Sequence, residues 1–263
     1  MPGPSQIVRF RQQRRSAQRR NPQGRLGLSM ALVLSLAVVL ASLAALAGYL
    51  RLTAALPSLE TIPARLEPPN GTWLQPTRLY DRSGEHLLYT LENSAAEGRQ
   101  YLTVSQTASA SSFAQSLVDA TVAAVDPTFW DHPGYSLQDI RAGSHPTIAQ
   151  RLVSDLLLSD EPVSLMRNLR ERLLAGQLIS RYGHAKVLEW YLNSTRYGPL
   201  IYGADAAARV FFGKPADDLS VPEAALIVAA AETPQLSPAS APPVLMERQA
   251  QIVAQMLLQG WIT

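Results

Sequence analysis

Lys186-Val187-Leu188-Glu189-Trp190-Tyr191-Leu192-Asn193 sets apolar side chains three and four positions apart, with Lys186, Glu189 and Asn193 as its polar members. That spacing predicts a helix with one buried stripe. The same spacing recurs from Ile148 to Leu158, from Leu165 to Leu178 and from Arg248 to Leu258. Upstream, Phe113, Leu117, Ala120, Val122 and Ala123 suit one helical face. Pro222 to Ala231 is a compact apolar helix with Pro222 in its first turn, where a missing N–H costs least. No strand is read after residue 100 and no internal repeat is found, so the body is expected to be mainly α.

The opposite end of the chain has a different character. Leu26 to Leu50 contains no Asp, Glu, Lys or Arg and is mostly Leu, Ala and Val. About 20 apolar residues in a helix cross the hydrocarbon core of a bilayer. A signal-peptide apolar region is shorter, roughly 7–15 residues. An uncleaved anchor is therefore preferred over a cleaved signal. Residues 1–25 hold seven Arg and no acid, which keeps that flank cytoplasmic and the body outside. The expected divisions are a basic tail over 1–25, a transmembrane helix over 26–50, a stalk and hairpin over 51–112, and a helical domain over 113–263.

Charge follows the same division. Eight of the 23 Lys and Arg lie at or before Arg51, while all 21 Asp and Glu lie beyond it, so residue 52 onward carries a formal charge of −6. The basic tail suits anionic lipid headgroups, and nucleic acid is not expected as a partner. There is no cysteine, hence no disulfide framework and no thiolate ligand. Leu52 to Pro76 has five Pro and reads as an extended stalk. Thr77 to Tyr80 and His86 to Thr90 flank Asp81-Arg82-Ser83-Gly84 and read as a β-hairpin. Residues 91–113 are polar and read as a loop.

Between helices lies Val125-Asp126-Pro127-Thr128-Phe129-Trp130-Asp131-His132-Pro133-Gly134. Alone it could be an ordinary surface loop. It is followed in order by Thr147-Ile148-Ala149-Gln150-Arg151, Arg167-Asn168-Leu169-Arg170-Glu171, the Lys186–Asn193 helix and Arg248. This ordered set resembles the peptidoglycan glycosyltransferases of family 51, the first catalytic domain of bifunctional penicillin-binding proteins. The resemblance covers about residues 74–263, including the hairpin and the terminal Gly260-Trp261-Ile262-Thr263. It implies a lysozyme-like, mainly α glycosyltransferase domain that joins lipid-linked disaccharides into glycan strands. Such a site needs a carboxylate base for the attacking hydroxyl and cations for the departing pyrophosphate.

Read position by position, the resemblance is uneven. The family's presumed base is a Glu at the place of Val125, whereas Asp126, Phe129, His132 and Gly134 match. Valine accepts no proton, which leaves Glu171 and Asp126 as the catalytic candidates. The segment between Gly134 and Thr147 looks shorter than the family's, and Pro146 replaces a Ser. Thr147 and Gln150 match; Arg151 replaces a Gln and suits either a phosphate or solvent. Arg167 and Glu171 match, with Asn168 in place of a Lys; they read as cleft residues or as an i,i+4 surface pair. Lys186, Glu189 and Asn193 match, and Arg248 matches beside an altered Gln249. Thr147, Gln150, Arg151, Arg167, Lys186, Glu189, Asn193 and Arg248 are therefore the expected substrate-binding set, with Phe129, His132 and Gly134 structural.

His132 has no second His at ligand spacing and is not read as a metal ligand. From the resemblance alone, Mg²⁺ or a similar divalent cation is expected at the pyrophosphate. The expected partners are the lipid-linked precursor, the glycan strand, the membrane, and a separate transpeptidase or wall-assembly protein. No Ser-x-x-Lys string occurs, so no penicillin-binding activity is expected. The expectation is a membrane-anchored, impaired glycosyltransferase; the alternative is a non-catalytic precursor-binding or assembly protein.

Overall fold

The structure, a computed structural model, describes residues 22–54, 56–68, 71, 75–91, 98–105, 112–136, 146–235 and 242–262. Most of the basic tail, part of the polar loop and the shortened stretch carrying Ser144 and His145 lie outside the described residues. The chain divides into two compact units, Met1–Ala55 and Leu56–Thr263.

The first unit is helix α1 (Pro22–Thr53). Its stretch Gly27–Thr53 is long and apolar enough to cross a membrane, and its side chains are not buried against protein. At 1.5 Å per residue those 27 residues span about 40 Å, more than a hydrocarbon core of roughly 30 Å.

The second unit is helical around one core. It comprises α2 (Thr61–Leu66), the hairpin β1 (Thr77–Tyr80) and β2 (Leu87–Leu91), α3 (Gln115–Val125), α4 (Ile148–Leu157), α5 (Leu165–Tyr182) and α6 (His184–Ser194). The short pair β3 (Arg196–Gly198) and β4 (Ile201–Tyr202) follows, then α7 (Ala204–Phe212), α8 (Val221–Glu232) and α9 (Pro242–Leu258). Helices α3, α8 and α9 pack together, as do α4, α5 and α6, while α7 touches α6 and α8 and so joins the two groups, with β3 packed on α7 and α8. Trp190, Leu188 and Leu192 on α6 are fully buried, so the stripe read from the sequence is the stripe that faces the core. Gly183, at φ +79°, ends α5 and starts α6 within one residue, which L side chains rarely permit.

Two expectations are corrected. The extended stalk contains α2, whose Ile62 and Leu66 are buried and which packs on α6. Its Pro63 lies in the first turn, where proline is compatible with a helix. A second antiparallel pair exists after residue 100: Arg196 pairs with Tyr202 and Gly198 with Ile201. Leu200 sits in the left-handed region at φ 57°, an unusual place for leucine that hides the turn from its sequence. The segment 98–105 has no helix or strand but is pinned: Asp205, buried on α7, accepts from the N–H of Gln100 at 2.8 Å and of Ala216 at 2.9 Å.

Helix α8 opens on Ser220, whose N–H donates to Glu223 Oε2 at 2.8 Å, with Lys214 Nζ 2.8 Å from the same oxygen. Lys214 first, then Ser220, holds the Glu223 carboxyl down from 4.5 to about 2. A depressed carboxyl stabilises the fold above its ordinary value and stops doing so as pH falls through its folded one. Glu223→Gln is expected to lower unfolding free energy by about 1 kcal/mol at neutral pH. The gap from wild type should close as pH falls from 4.5 toward 2 in urea titrations. A gap that persists at the acid end would refute this account.

Candidate functional site

Val125 is the last residue of α3, and its side chain belongs to the apolar core, 7% exposed. Asp126 follows outside the helical region, at φ −157° and ψ 77°, and turns its carboxylate inward. Oδ1 and Oδ2 lie 2.9 and 3.0 Å from His132 Nε2, and Oδ2 accepts from the N–H of Ile148 at 3.1 Å. His132 Nδ1 accepts from the N–H of Gly134 at 2.9 Å. That bond assigns the proton to Nε2, which donates to Asp126. One carboxylate thus closes its own loop and anchors the first turn of α4, where a negative charge also meets the helix dipole.

Gly134 adopts φ +97°, and a Cβ there would meet Ile179 Cγ1 at 2.6 Å and the Ala175 carbonyl oxygen at 2.7 Å. The loop therefore rests directly on α5. Thr147 caps α4: its Oγ1 accepts from the N–H of Gln150 at 3.1 Å and donates to the Gly134 carbonyl at 2.8 Å. Fully buried Gln150 accepts from the N–H of Ser136 at Oε1 and donates from Nε2 to Glu171 Oε1 at 2.9 Å. Phe129 is buried edge-on to Trp130 and His184, and the His184 ring bonds the His132 carbonyl oxygen at 3.0 Å.

Glu171 is fully buried on α5. Arg167, one turn earlier, donates from Nη2 to Ser154 Oγ at 2.8 Å and from Nε to the Leu158 carbonyl at 3.2 Å. Its Nη1 lies 3.8 Å from Glu171 Oε2 and, though buried, makes no hydrogen bond. The surface-pair reading is excluded, since both groups are buried. Arg167 is directed at α4 rather than at water. Arg151 and Asp155 both act on the hydroxyl of Tyr191. Burial is the main force raising the Tyr191 hydroxyl, and Arg151 opposes it.

The remaining residues form other groups. Lys186 Nζ lies 2.8 Å from Glu67 and 2.7 Å from Glu189. Burial pulls this ammonium down, but its bonds to Glu189 and Glu67 prevail and raise it overall. Glu189 also accepts from the Tyr101 hydroxyl at 2.7 Å and the N–H of Val104 at 3.2 Å. Burial, then donation to Glu189, pushes the Tyr101 hydroxyl far up, so it remains a donor. Asn193 grips the backbone of Leu102 with both ends of its amide, at 2.8 and 3.2 Å. Glu189 and Asn193 thus bolt segment 98–105 onto α6, and Lys186 ties Glu67 to the same helix. Arg248 stands apart on α9, where Glu232 of α8 holds it, Nη2 to Oε1 at 2.8 Å.

Four contributors were not picked out from the sequence. Buried Arg172 donates to the carbonyls of Ser136 at 3.0 Å and Asn168 at 3.2 Å. Its i+4 spacing from Asn168 was the available signal. Ser154 had none, and Glu67 and Tyr101 lie in segments read as stalk and loop. Among the described residues no group of three or more His, Asp or Glu is gathered to hold a metal ion. Asp126, Glu171 and Glu189 each already accept protein donors.

Asp126→Ala would leave His132 Nε2–H and the N–H of Ile148 without an acceptor. A loss of about 2–4 kcal/mol in urea unfolding is expected, the penalty for orphaned buried donors. A loss under ~1 kcal/mol would refute the anchoring role.

A family model described as Transglycosylase matches residues 92–257. Penicillin-binding protein 1A of Rickettsia felis is 31% identical over 216 residues, covering 76% of this chain and 25% of that protein. Penicillin-binding protein 1A of Aquifex aeolicus is 34% identical over 160 residues, 56% of this chain and 22% of that protein. The chain thus spans about a quarter of the length of these relatives. The crystal structure of penicillin-binding protein 1A from Haemophilus influenzae aligns with 72% of this chain and 19% of its own, at 20% identity and TM-score 0.39. With the ordered motifs lying within the matched span and 31% of the aligned residues identical to the Rickettsia felis protein, this chain belongs to the transglycosylase family.

Proposed function

We propose that this chain is a membrane-held transglycosylase-family protein that engages lipid-linked disaccharide and nascent glycan, with polymerising activity strongly impaired. The observation that carries this reading is the pair Val125 and Asp126. An aliphatic side chain packs into the core where the family resemblance wants a proton acceptor. The adjacent carboxylate is occupied by His132 and the N–H of Ile148. A positioned base contributes roughly 10²–10⁴ in rate, so its loss silences turnover without unfolding the protein.

Helix α1 supports the anchor by length and composition, and the seven Arg of residues 1–25 support a cytoplasmic N-terminus. The body then works outside the membrane beside its lipid-borne substrate, with a separate transpeptidase or wall-assembly protein as partner. The non-catalytic alternative draws support from Glu171, whose buried carboxylate is bonded to Gln150 rather than turned toward solvent.

Purified full-length protein, incubated with lipid-linked disaccharide, is expected to yield no glycan strands where an active transglycosylase yields them. Val125→Glu is expected to restore measurable product while lowering the melting temperature, because the new carboxylate enters apolar surroundings. No product from a folded Val125→Glu protein would favour the non-catalytic alternative. Strands made by wild type and lost in a folded Glu171→Gln variant would overturn the impaired reading and assign the base to Glu171.

A further inference from the structure

Residues 56–67, the part of the second unit that begins directly after Ala55, form a short strap. Leu59, Ile62 and Leu66 are buried, and α2 within the strap is six residues long. Isolated helices shorter than roughly 12–15 residues are marginal in water, so α2 is held by docking rather than by its own hydrogen bonds. Docked and undocked are then two discrete states of one element.

The strap docks on the corner between α5 and α6. Glu60 Oε1 lies 2.9 Å from Arg181 Nη2, and the Leu59 carbonyl accepts from the Tyr182 hydroxyl at 3.4 Å, both in the last turn of α5. Glu67 Oε1 accepts from Trp190 Nε1 at 3.1 Å and lies 2.8 Å from Lys186 Nζ, both on α6. Gly183 joins the two helices between these positions. The same corner also carries the 126–134 loop. His184, the first residue of α6, bonds the His132 carbonyl at 3.0 Å and stands edge-on to Phe129, with 5.2 Å between ring centroids. Gly134 lies against Ile179 and Ala175 of α5.

We propose that the strap positions the candidate-site loop: docked on residues 181–190 it fixes the α5–α6 corner, and through His184 and Ile179 that corner fixes residues 126–134. The chain that leads out of α1 thus governs the order of the loop carrying Asp126 and His132. Energetic coupling over a distance has a physical basis where packed contacts contain an element with two states, and strap, corner and loop supply both. Arg181 and Tyr182 precede Gly183 while Lys186 and Trp190 follow it, so undocking releases the joint on both sides at once. The exposed Glu60–Arg181 pair contributes little, whereas Ile62, Leu66 and the half-buried Glu67 carry the docking.

Hydrogen exchange of the full-length protein in detergent micelles reads strap and loop separately. The N–H at position 67 bonds the Pro63 carbonyl in the strap, and those of Gly134 and Ile148 bond His132 and Asp126 at the loop. Ile62→Asp sets a charge in apolar surroundings and undocks the strap. The Gly134 and Ile148 amides are then expected to exchange about tenfold faster or more, with α8 amides such as that of Ile227 unchanged. Glu67→Ala is expected to act in the same direction by a smaller factor, and Glu60→Gln to change nothing. In a His184→Ala background, where the corner has lost its bond to the loop, Ile62→Asp is expected to add little further exchange at Gly134. Fast exchange at position 67 with Gly134 and Ile148 unchanged would overturn the proposal. Equal acceleration in α8 would also overturn it, since α2 would then be an ordinary part of the core. So would a fully additive effect of Ile62→Asp in the His184→Ala background. Should Ile62→Asp fail to fold, Glu67→Ala gives the same three readings.

Discussion

The buried carboxylate of Asp126 holds together the elements of the candidate site. It receives the Nε2 proton of His132 and the N–H of Ile148, and so joins the end of α3, the 126–134 loop and the start of α4. From there a continuous set of bonds runs through Gly134, Thr147 and Gln150 to Glu171 on α5. An ionised group kept out of water persists only when its acceptors are filled, and here both oxygens have donors. The same arrangement that makes Asp126 structurally necessary fills both of its oxygens with donors from its own chain.

This bears on Val125. A glutamate at that position would set two acids side by side in a largely apolar setting. Burial and like charge would both oppose its ionisation, which is how an acceptor of useful basicity is made and also why it destabilises its host. Valine removes that conflict and adds apolar packing to the core. Exchange of an acid for an aliphatic group therefore moves along the ordinary trade between activity and stability.

The helices were legible because their apolar residues recur at helical spacing and tertiary packing uses that stripe directly, as Leu188, Trp190 and Leu192 illustrate. The first hairpin was legible from its Ser-Gly turn. The β3–β4 pair was not, because a leucine takes the left-handed conformation that sequence reasoning reserves for glycine. Helix α2 was hidden by the prolines around it, although Pro63 occupies a position where proline is compatible. At the site, the motif residues could be found but not their partners. Glu189 meets Tyr101 and Lys186 meets Glu67 across 88 and more than a hundred positions, and no local pattern announces such pairs.

The partners also change what a motif match means. Asp126, His132, Gly134, Thr147, Gln150, Glu189 and Asn193 match the family pattern, and each is held by bonds to other parts of its own chain. The departures fall at Val125, Pro146, Arg151 and Asn168, positions at which the resemblance implies chemistry or phosphate binding. A substitution that orphans a buried donor costs the fold about 1–3 kcal/mol, whereas loss of a base costs only turnover. Matching residues of the first kind therefore report that the frame can be built, and carry little information about whether it still catalyses. Family membership and catalytic competence are separate properties of a chain: the first rests here on the matched span and its relatives, and the buried hydrogen bonds speak only for the frame.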